Sequence, residues 1–314
     1  MLNNQPGNVN KYDAILLVTE KNLPVLEISF PYIRDNLGAQ NIYAIAPSRI
    51  KDKLIFMGVS YIDEDCLIPD LTFSRIKQLI ENRGLDTRRT GWYYQQFLKY
   101  GFSYVTENEY YLTWDADTIP LNKISYFING KPSFVEKKEM HQGYFNTLNT
   151  LFDGNIYRYN PNISYVAENL LFNTSIVKEI IEIIESNDKI AGNTFYEKII
   201  NAVAPQDFQS GFSEFETYGN YVRIKHPSLY GSLNLRTLRN GSFFVGIEPT
   251  QDQVEWAQRD FDIMSIEGRQ TVVVKLSSHK WFREVFRLKT VSKFVLKMRS
   301  IRRSLLGLEK LDYD

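Results

Sequence analysis

The sequence predicts an α/β protein with a mostly parallel sheet flanked by helices, followed by a basic amphipathic helix at the C-terminus. Apolar, β-prone runs alternate with stretches of helical spacing in the first half of the chain, and basic residues concentrate near its end. The chain has 314 residues, of which 43% are hydrophobic and 24% are charged, which suits a globular protein with a sizeable core. We expect one α/β domain over residues 1–278 and a helical tail over 279–314.

The first half of the chain supplies the predicted sheet. Apolar runs predict strands at 13–19, 41–46, 59–62 and 110–114. Helical spacing between them predicts helices at 23–36, 71–82 and 91–100. Strands separated by helices favour βαβ units, and therefore parallel pairing.

The second half is less regular. Amphipathic spacing predicts helices at 175–186 and 194–202, and short strands are expected at 221–224, 242–245 and 271–275. The single cysteine, Cys66, excludes a disulfide within the chain and favours a reducing compartment. The polar residues 1–13 do not read as a signal peptide, and no apolar run approaches the roughly 20 residues of a membrane span. We therefore expect a cytoplasmic location.

Two carboxylates follow the predicted strand at 110–114. Asp115 and Asp117 are one residue apart, and Pro120 comes soon after them. A strand that ends this way holds its last side chains at the carboxyl edge of the sheet, where open α/β sheets bind ligands. On a continuing strand the two side chains would point the same way. Two carboxylates without a nearby base attract a hard cation such as Mg²⁺ or Mn²⁺, which commonly accompanies a diphosphate.

The order of elements around these carboxylates resembles the nucleotide-diphospho-sugar transferases of the GT-A fold. Residues 91–102 (GWYYQQFLKYGF) form a predicted helix that ends in glycine, and the strand with the Asp-Ala-Asp motif follows. The resemblance spans roughly residues 13–279 and is greatest to bacterial enzymes that build capsule or O-antigen polysaccharides. It implies a Rossmann-type sheet and metal-dependent transfer of a sugar from a nucleoside-diphosphate donor to a glycan acceptor. UDP is the first candidate for the nucleotide, and in polysaccharide synthesis of this kind the acceptor would be linked to a lipid.

The resemblance also implies roles for residues near the motif. Asp117 would coordinate the metal directly, and Asp115 would contact the ribose or reach the metal through water. Gln96 and Lys99 would face the donor, and the positive charge of Lys99 would offset the negative charge of the diphosphate. The alternative is that Gln96 and Lys99 lie on an exposed face of the helix and contact no donor. The chain also departs from the family pattern here, because many GT-A enzymes carry an Arg-Asn pair where this chain has Gln95 and Gln96.

Further donor contacts come from other segments. Thr19 and Glu20 would begin the nucleotide pocket, and Asp63 would lie near the base. His279 would be a late metal ligand of the kind that GT-A enzymes often add, with His226 as the competing histidine.

Glu214 is the candidate general base. By resemblance, an acidic pair at a helix start lies beneath the acceptor, and one carboxylate there can take the hydroxyl proton that an inverting displacement releases. The alternative is structural, with Ser213 capping a helix whose first turn carries an acid. Glu168 is the second candidate base. A retaining enzyme could use the same metal site.

The tail carries an uneven charge. The chain has 37 basic and 37 acidic residues, yet 279–303 contains nine basic residues and one acidic residue. Apolar positions between 281 and 306 have nearly helical spacing, which is typical of a peripheral anchor on an anionic membrane. Such an anchor would place the enzyme on the inner face of a bacterial plasma membrane. A helix packed on the domain is the alternative, and RNA binding is the weaker one because no nucleic-acid motif accompanies the charge.

Two other functional classes fit part of the sequence. An Asp-Ala-Asp motif after an apolar strand is also found in haloacid-dehalogenase phosphatases, but there the strand lies near the N-terminus and a later acidic signature follows. A non-catalytic carbohydrate- or membrane-binding module would make both acidic motifs accidental. Release of a nucleoside diphosphate, of inorganic phosphate, or of neither separates the three classes.

Overall fold

A computed structural model describes residues 11–138 and 140–266 of the chain. The chain divides into two compact units. The first unit comprises Met1–Leu23, Gly38–Ala116 and Ser125–Asn234, and the second comprises Pro24–Leu37, Asp117–Ile124 and Leu235–Asp314, each to the extent that it is described. The predicted tail and the boundary at residue 278 lie outside the described residues.

Strands and short strand segments occur throughout the described chain. They are β1 (Tyr12–Leu17), β2 (Ile42–Ala46), β3 (Ser60–Asp63), β4 (Tyr110–Asp115), β5 (Thr118–Pro120), β6 (Phe127–Ile128), β7 (Lys131–Val135), β8 (Asn169–Asn173), β9 (Gly231–Leu233), β10 (Thr237–Leu238) and β11 (Ile263–Ser265).

The α-helices lie between these strands. They are α1 (Leu23–Asn36), α2 (Lys51–Phe56), α3 (Phe73–Asn82), α4 (Thr90–Gly101), α5 (Gln142–Leu151), α6 (Thr174–Ser186), α7 (Phe195–Ala202), α8 (Glu214–Lys225), α9 (Ser242–Val245) and α10 (Gln251–Gln258). None of the helices in 11–138 and 140–266 is long and apolar enough to cross a membrane.

The first unit is built on a five-stranded sheet in the order β3-β2-β1-β4-β8. The pairs β1–β2, β2–β3 and β1–β4 are parallel, and β8 runs antiparallel to β4. The chain builds outward from β1 to β3 and then returns to place β4 on the other side of β1. The strand order therefore reverses between β1 and β4. The predicted fold class, an α/β protein with a mostly parallel sheet flanked by helices, is confirmed.

Strand β4 is buried on both faces, as a central strand of such a sheet should be. On one face the hydroxyl of Tyr111 donates to the carbonyl oxygen of Lys99 in α4, at 2.9 Å. On the other face the ring of Tyr110 packs edge-on against Phe127, with centroids 5.2 Å apart. This packing fixes the strand that ends at Asp115 relative to α4.

The second unit has its own core. Strands β10, β11 and β5 form a three-stranded sheet, in which β11 is parallel to β10 and antiparallel to β5. Apolar side chains from α1, β5, α9, α10 and β11 pack together, and the buried members include Val25, Ile119, Phe244, Trp256 and Met264.

Two predicted strands are wrong. Residues 221–224 lie inside α8, which Ser213 caps by accepting the backbone N–H of Glu216 at 3.2 Å. Residues 242–245 form the short helix α9. A mostly apolar segment of four residues is too short to show a period, so the local pattern could not separate a strand from a helical turn. The strand expected at 271–275 lies outside the described residues.

Candidate functional site

The carboxyl edge of the five-stranded sheet brings together several predicted site residues. Asp115 is the last residue of β4 and is paired in register with Leu17, the last residue of β1. Thr19 and Glu20 follow β1, and Asp63 is the last residue of β3. In open α/β sheets, ligands bind beyond the carboxyl ends of the strands where the strand order reverses. Asp115 lies at this reversal.

Three residues predicted for the nucleotide pocket have local partners. The hydroxyl of Thr19 donates to Asn22 Oδ1 at 2.5 Å, and Arg49 Nε lies 3.0 Å from Glu20 Oε1 in an exposed ion pair. The Asp63 carboxylate accepts the backbone N–H of Asp65 at 3.1 Å. These contacts shape the loops after β1 and β3, and the roles predicted for the three residues in nucleotide binding stay predictions.

Lys99 joins two acidic side chains of the first unit. Its Nζ atom donates to Glu214 Oε1 at 2.7 Å and lies 3.7 Å from Asp115 Oδ1. The side chains of Lys99 and Glu214 are 8% and 5% exposed, whereas that of Asp115 is 43% exposed. Lys99 therefore does not lie on an exposed helix face. It forms an interior ion pair that extends to the accessible carboxylate at the sheet edge.

The charges around Lys99 favour its ionised form. Burial lowers the pKa of its ammonium, but the carboxylates of Glu214 and Asp115 more than offset that effect. The net result is a pKa above the ordinary lysine value. Lys99 is thus a fixed positive charge.

The surroundings of Glu214 fix its position. Gln96 Oε1 accepts the backbone N–H of Glu214 at 3.2 Å, and the Tyr100 hydroxyl donates to the Glu214 carbonyl oxygen at 2.9 Å. Gln96 also donates to the carbonyl oxygen of Trp92, at 3.1 Å, and is itself buried. Gln96 and Lys99, both predicted to face the donor, therefore hold the first turn of α8 against α4. Their predicted donor contacts stay predictions.

Glu168 lies beside the end of β4. Its carbonyl oxygen accepts the backbone N–H of Asp115 at 2.9 Å. Its carboxylate is 10% exposed and lies 3.6 Å from Lys137 Nζ, and its Oε2 atom has no hydrogen-bond donor among the described residues. The neighbouring Asn169 accepts the hydroxyl of Tyr126 at 2.9 Å through its Oδ1 atom.

Lys137 and Tyr126 were not singled out by the sequence. They lie more than 25 residues before Glu168, in segments without a recognisable motif. Only the antiparallel pairing of β8 with β4 brings Glu168 and Asn169 to the end of β4.

Asp117 does not continue the strand that ends at Asp115. Residues 116 and 117 form a turn, so the expectation of two side chains on one continuing strand is wrong. Asp117 belongs to the second unit, where its carbonyl oxygen accepts the backbone N–H of Ile266 at 2.7 Å. A turn rather than a strand follows Asp115 because β5 pairs with β11 instead of extending the central sheet.

The predicted metal ligands are described only in part. His279 lies outside the described residues. Within 11–138 and 140–266 no cluster of three or more His, Cys, Asp or Glu side chains is arranged to hold a metal ion. A partly exposed carboxylate such as Asp115 nonetheless suits Mg²⁺ or Mn²⁺, because such ions are commonly held by one or two carboxylates together with substrate phosphates. The oxygen donors present therefore fit a cation that arrives with a diphosphate.

The carboxyl group of Glu64, which lies close to the sheet edge, has a raised pKa. Burial raises the pKa of its carboxyl to about 7, and the neighbouring Asp65 and Asp63 add to this while Arg49 opposes it. This group follows β3 directly and titrates near neutral pH.

Comparison with known proteins gives structural likenesses alone. No family model matches the chain, and no curated protein matches it. An apo structure of the bifunctional glycosyltransferase WbbM is 12% identical with a TM-score of 0.47, covering 90% of this chain and 52% of that one. This chain thus spans about half of that protein's length.

Two further structures cover most of this chain. Mouse xyloside xylosyltransferase 1 in its apo form is 11% identical with a TM-score of 0.41, and covers 82% of this chain and 98% of that one. An active-site mutant of LgtC is 10% identical with a TM-score of 0.38, and covers 88% and 94% respectively.

Proposed function

We propose that the protein is a GT-A-like, metal-dependent glycosyltransferase that uses a nucleoside-diphosphate sugar, with UDP as the first candidate nucleotide. The observation that carries this proposal is the position of Asp115. It ends β4 opposite the last residue of β1, at the point where the strand order reverses. An accessible carboxylate at this point of an open α/β sheet suits a nucleotide site.

The resemblance of the Asp-Ala-Asp motif to that of GT-A enzymes supports a divalent cation as part of the proposal, with Asp115 and Asp117 as its proposed ligands. A bound Mg²⁺ or Mn²⁺ would supply positive charge against the negative charge that grows on the departing diphosphate. The chain's own contribution is to present carboxylate oxygens at the sheet edge. His279 remains a proposed additional ligand.

Glu168 is the better placed of the two candidate bases. An inverting displacement needs a carboxylate within hydrogen-bond reach of the acceptor hydroxyl. The Oε2 atom of Glu168 accepts no hydrogen bond among the described residues, although it is buried and lies 3.6 Å from Lys137 Nζ, and the backbone of Glu168 contacts Asp115. The Oε1 atom of Glu214 already accepts a hydrogen bond from Lys99. We therefore propose inverting transfer with Glu168 as the base.

The acceptor and the location of the enzyme are proposed from the sequence. Nine basic residues and one acidic residue at 279–303, with apolar positions between them, suit an anionic membrane surface. An enzyme held there would suit a lipid-linked glycan acceptor, as in the synthesis of capsule or O-antigen polysaccharides.

The test is release of a nucleoside diphosphate from a panel of nucleotide sugars, with Mn²⁺ and with EDTA. We expect release with one donor in Mn²⁺ and none in EDTA. Asp115→Asn and Asp117→Asn should each lower turnover by at least about 100-fold, since they weaken charge stabilisation of the leaving group. The matched control is Asp52→Asn, an exposed carboxylate on α2, which should keep wild-type turnover.

The same assay distinguishes the other functional classes. Release of inorganic phosphate, with no nucleoside diphosphate, would indicate a phosphatase. Release of neither product across the panel, with and without glycan acceptors, would contradict enzymatic transfer and favour a binding module.

A further inference from the structure

Immediately before α4 lies an arginine that has no counter-ion among the described residues. The guanidinium of Arg89 lies 4.1 Å from the centre of the Trp92 ring, and both residues are half-buried. Its Nε atom is buried without a hydrogen-bond acceptor, and the guanidinium forms no hydrogen bond or ion pair with another described residue. We propose that Arg89 and Trp92 form a binding site for an acidic saccharide, in which Arg89 pairs with a sugar carboxylate. The acceptor role of this site rests on the proposed function, because it names the class of glycan that receives the sugar.

Three segments of the first unit meet around Trp92, and they are residues 86–92, 141–146 and 205–210. The rings of Trp92 and Tyr144 are nearly parallel, with centroids 6.4 Å apart, so the start of α5 contacts the start of α4. Asn146 Nδ2, also in α5, donates to Asp207 Oδ2 at 2.8 Å. These contacts hold the three segments together around a partly exposed surface.

The acidic side chains of these three segments have other partners. The Asp86 carboxylate accepts Arg88 at 2.8 Å and Gln209 at 3.1 Å, and Asp207 accepts the amide described above. Burial lowers the pKa of the Arg89 guanidinium, and the opposing electrostatic effect of its neighbours does not offset this. A half-buried charge without a partner is unfavourable, so an anion that reached Arg89 would supply the interaction that the described residues do not provide.

The side chains around Arg89 suit a saccharide as the carrier of that anion. The exposed Gln142 donates through Nε2 to Oδ1 of the exposed Asn146 at 3.2 Å, and the ring of His141 meets that of Tyr144 edge-on with centroids 5.3 Å apart. Sugar C–H groups pack on aromatic rings, while sugar hydroxyls exchange hydrogen bonds with amides and carboxylates. A guanidinium binds a carboxylate through two parallel N–H···O bonds. A sugar that carries a carboxylate matches both features.

The position of this surface on α4 relates it to the candidate functional site. Lys99, on the same helix, has its Nζ atom 3.7 Å from Asp115 Oδ1 at the end of β4. Trp92 and Lys99 are seven positions apart, which corresponds to about 10 Å along the helix axis. This distance is short enough for an oligosaccharide bound at Arg89 to extend to the carboxyl edge of the sheet.

The experiment follows the indole N–H signals of the four tryptophans of the isotope-labelled full chain by NMR, without donor or metal. The acidic probes are tetrasaccharides of galacturonate and of hyaluronan, and the neutral probes are maltotetraose and chitotetraose. We expect an acidic probe to shift the signal of Trp92, which Trp92→Phe identifies by its loss, and neutral probes to bind at least about tenfold more weakly. Arg89→Gln should weaken binding of the acidic probe by at least about tenfold. The matched control, Arg34→Gln, removes an equal charge from an exposed ion pair with Asp35 and should bind as the wild type does.

Each other outcome overturns the inference. Equal binding of acidic and neutral probes, or equal binding to the wild type and to an Arg89→Gln variant whose circular dichroism matches it, would show that Arg89 recognises no carboxylate. Shifts confined to the other tryptophans, or no binding of any acidic probe at millimolar concentration, would rule out a site at Trp92. Displacement of the acidic probe by UDP would assign Arg89 to the donor instead. Acidic-saccharide binding by a protein that releases no nucleoside diphosphate from any donor would contradict the proposed function alone, and would leave a carbohydrate-binding site.

Discussion

Substitution of Lys99 by Met should destabilise the protein. The change leaves the Glu214 carboxylate, with a side chain 5% exposed, without its ion-pair partner. Removal of one member of a buried pair costs about 3–5 kcal/mol. The methionine side chain fits the space of the lysine stem, so packing adds little to this cost.

Removal of the unpaired charge should recover much of this cost. Replacement of both members of a buried ion pair by uncharged residues of similar volume is often close to neutral. The double variant Lys99→Met/Glu214→Gln should therefore be more stable than Lys99→Met by about 2–4 kcal/mol.

Urea unfolding followed by circular dichroism measures this difference. A double variant that is no more stable than Lys99→Met would refute the reasoning, since it would show a loss of packing rather than an uncompensated charge.

Two further predictions concern the first unit. Gly219→Ala should lower the free energy of unfolding by about 1–3 kcal/mol, because the added Cβ would overlap the ring of Tyr165, whereas Gly91→Ala, with its nearest neighbour at 3.9 Å, should be neutral or stabilising. Thermal unfolding of the two variants checks this, and equal melting temperatures would contradict it. Glu64→Gln should stabilise the protein at pH 8 and not at pH 4, because a carboxyl whose folded-state pKa is raised to about 7 loses stability as the pH rises from the ordinary glutamate pKa to about 7, where only the unfolded chain ionises. Urea midpoints that shift equally at both pH values would contradict this account of Glu64.

The elements that the sequence predicts well are those with strong local signals. The predicted bounds of β1 and β4 lie within about two residues of the observed ones. The apolar residues of α6 and α7 have a clear helical spacing because one face of each helix is buried. For helix α8 the sequence indicates the N-terminal cap but not the rest of the helix. Its buried residues lie all around the helix, so the apolar period of a one-sided helix is absent.

The sequence predicts only part of the candidate site, because only part of the site gives a local sequence signal. Asp115 follows an apolar run, so its place at a strand end can be read locally. The ion pair between Lys99 and Glu214 joins residues 115 positions apart, and no local pattern indicates that α8 packs against α4. The sequence therefore assigned Lys99 to the donor and Glu214 to the acceptor, whereas the structure places them in contact with each other.

The most direct test of the central claim is a crystal structure of the protein with Mn²⁺ and a sugar nucleotide that it turns over. We predict density for the metal and the diphosphate at Asp115, beyond the carboxyl ends of β1 and β4. Density for both at a site away from this edge, with Asp115 uncontacted, would contradict the claim.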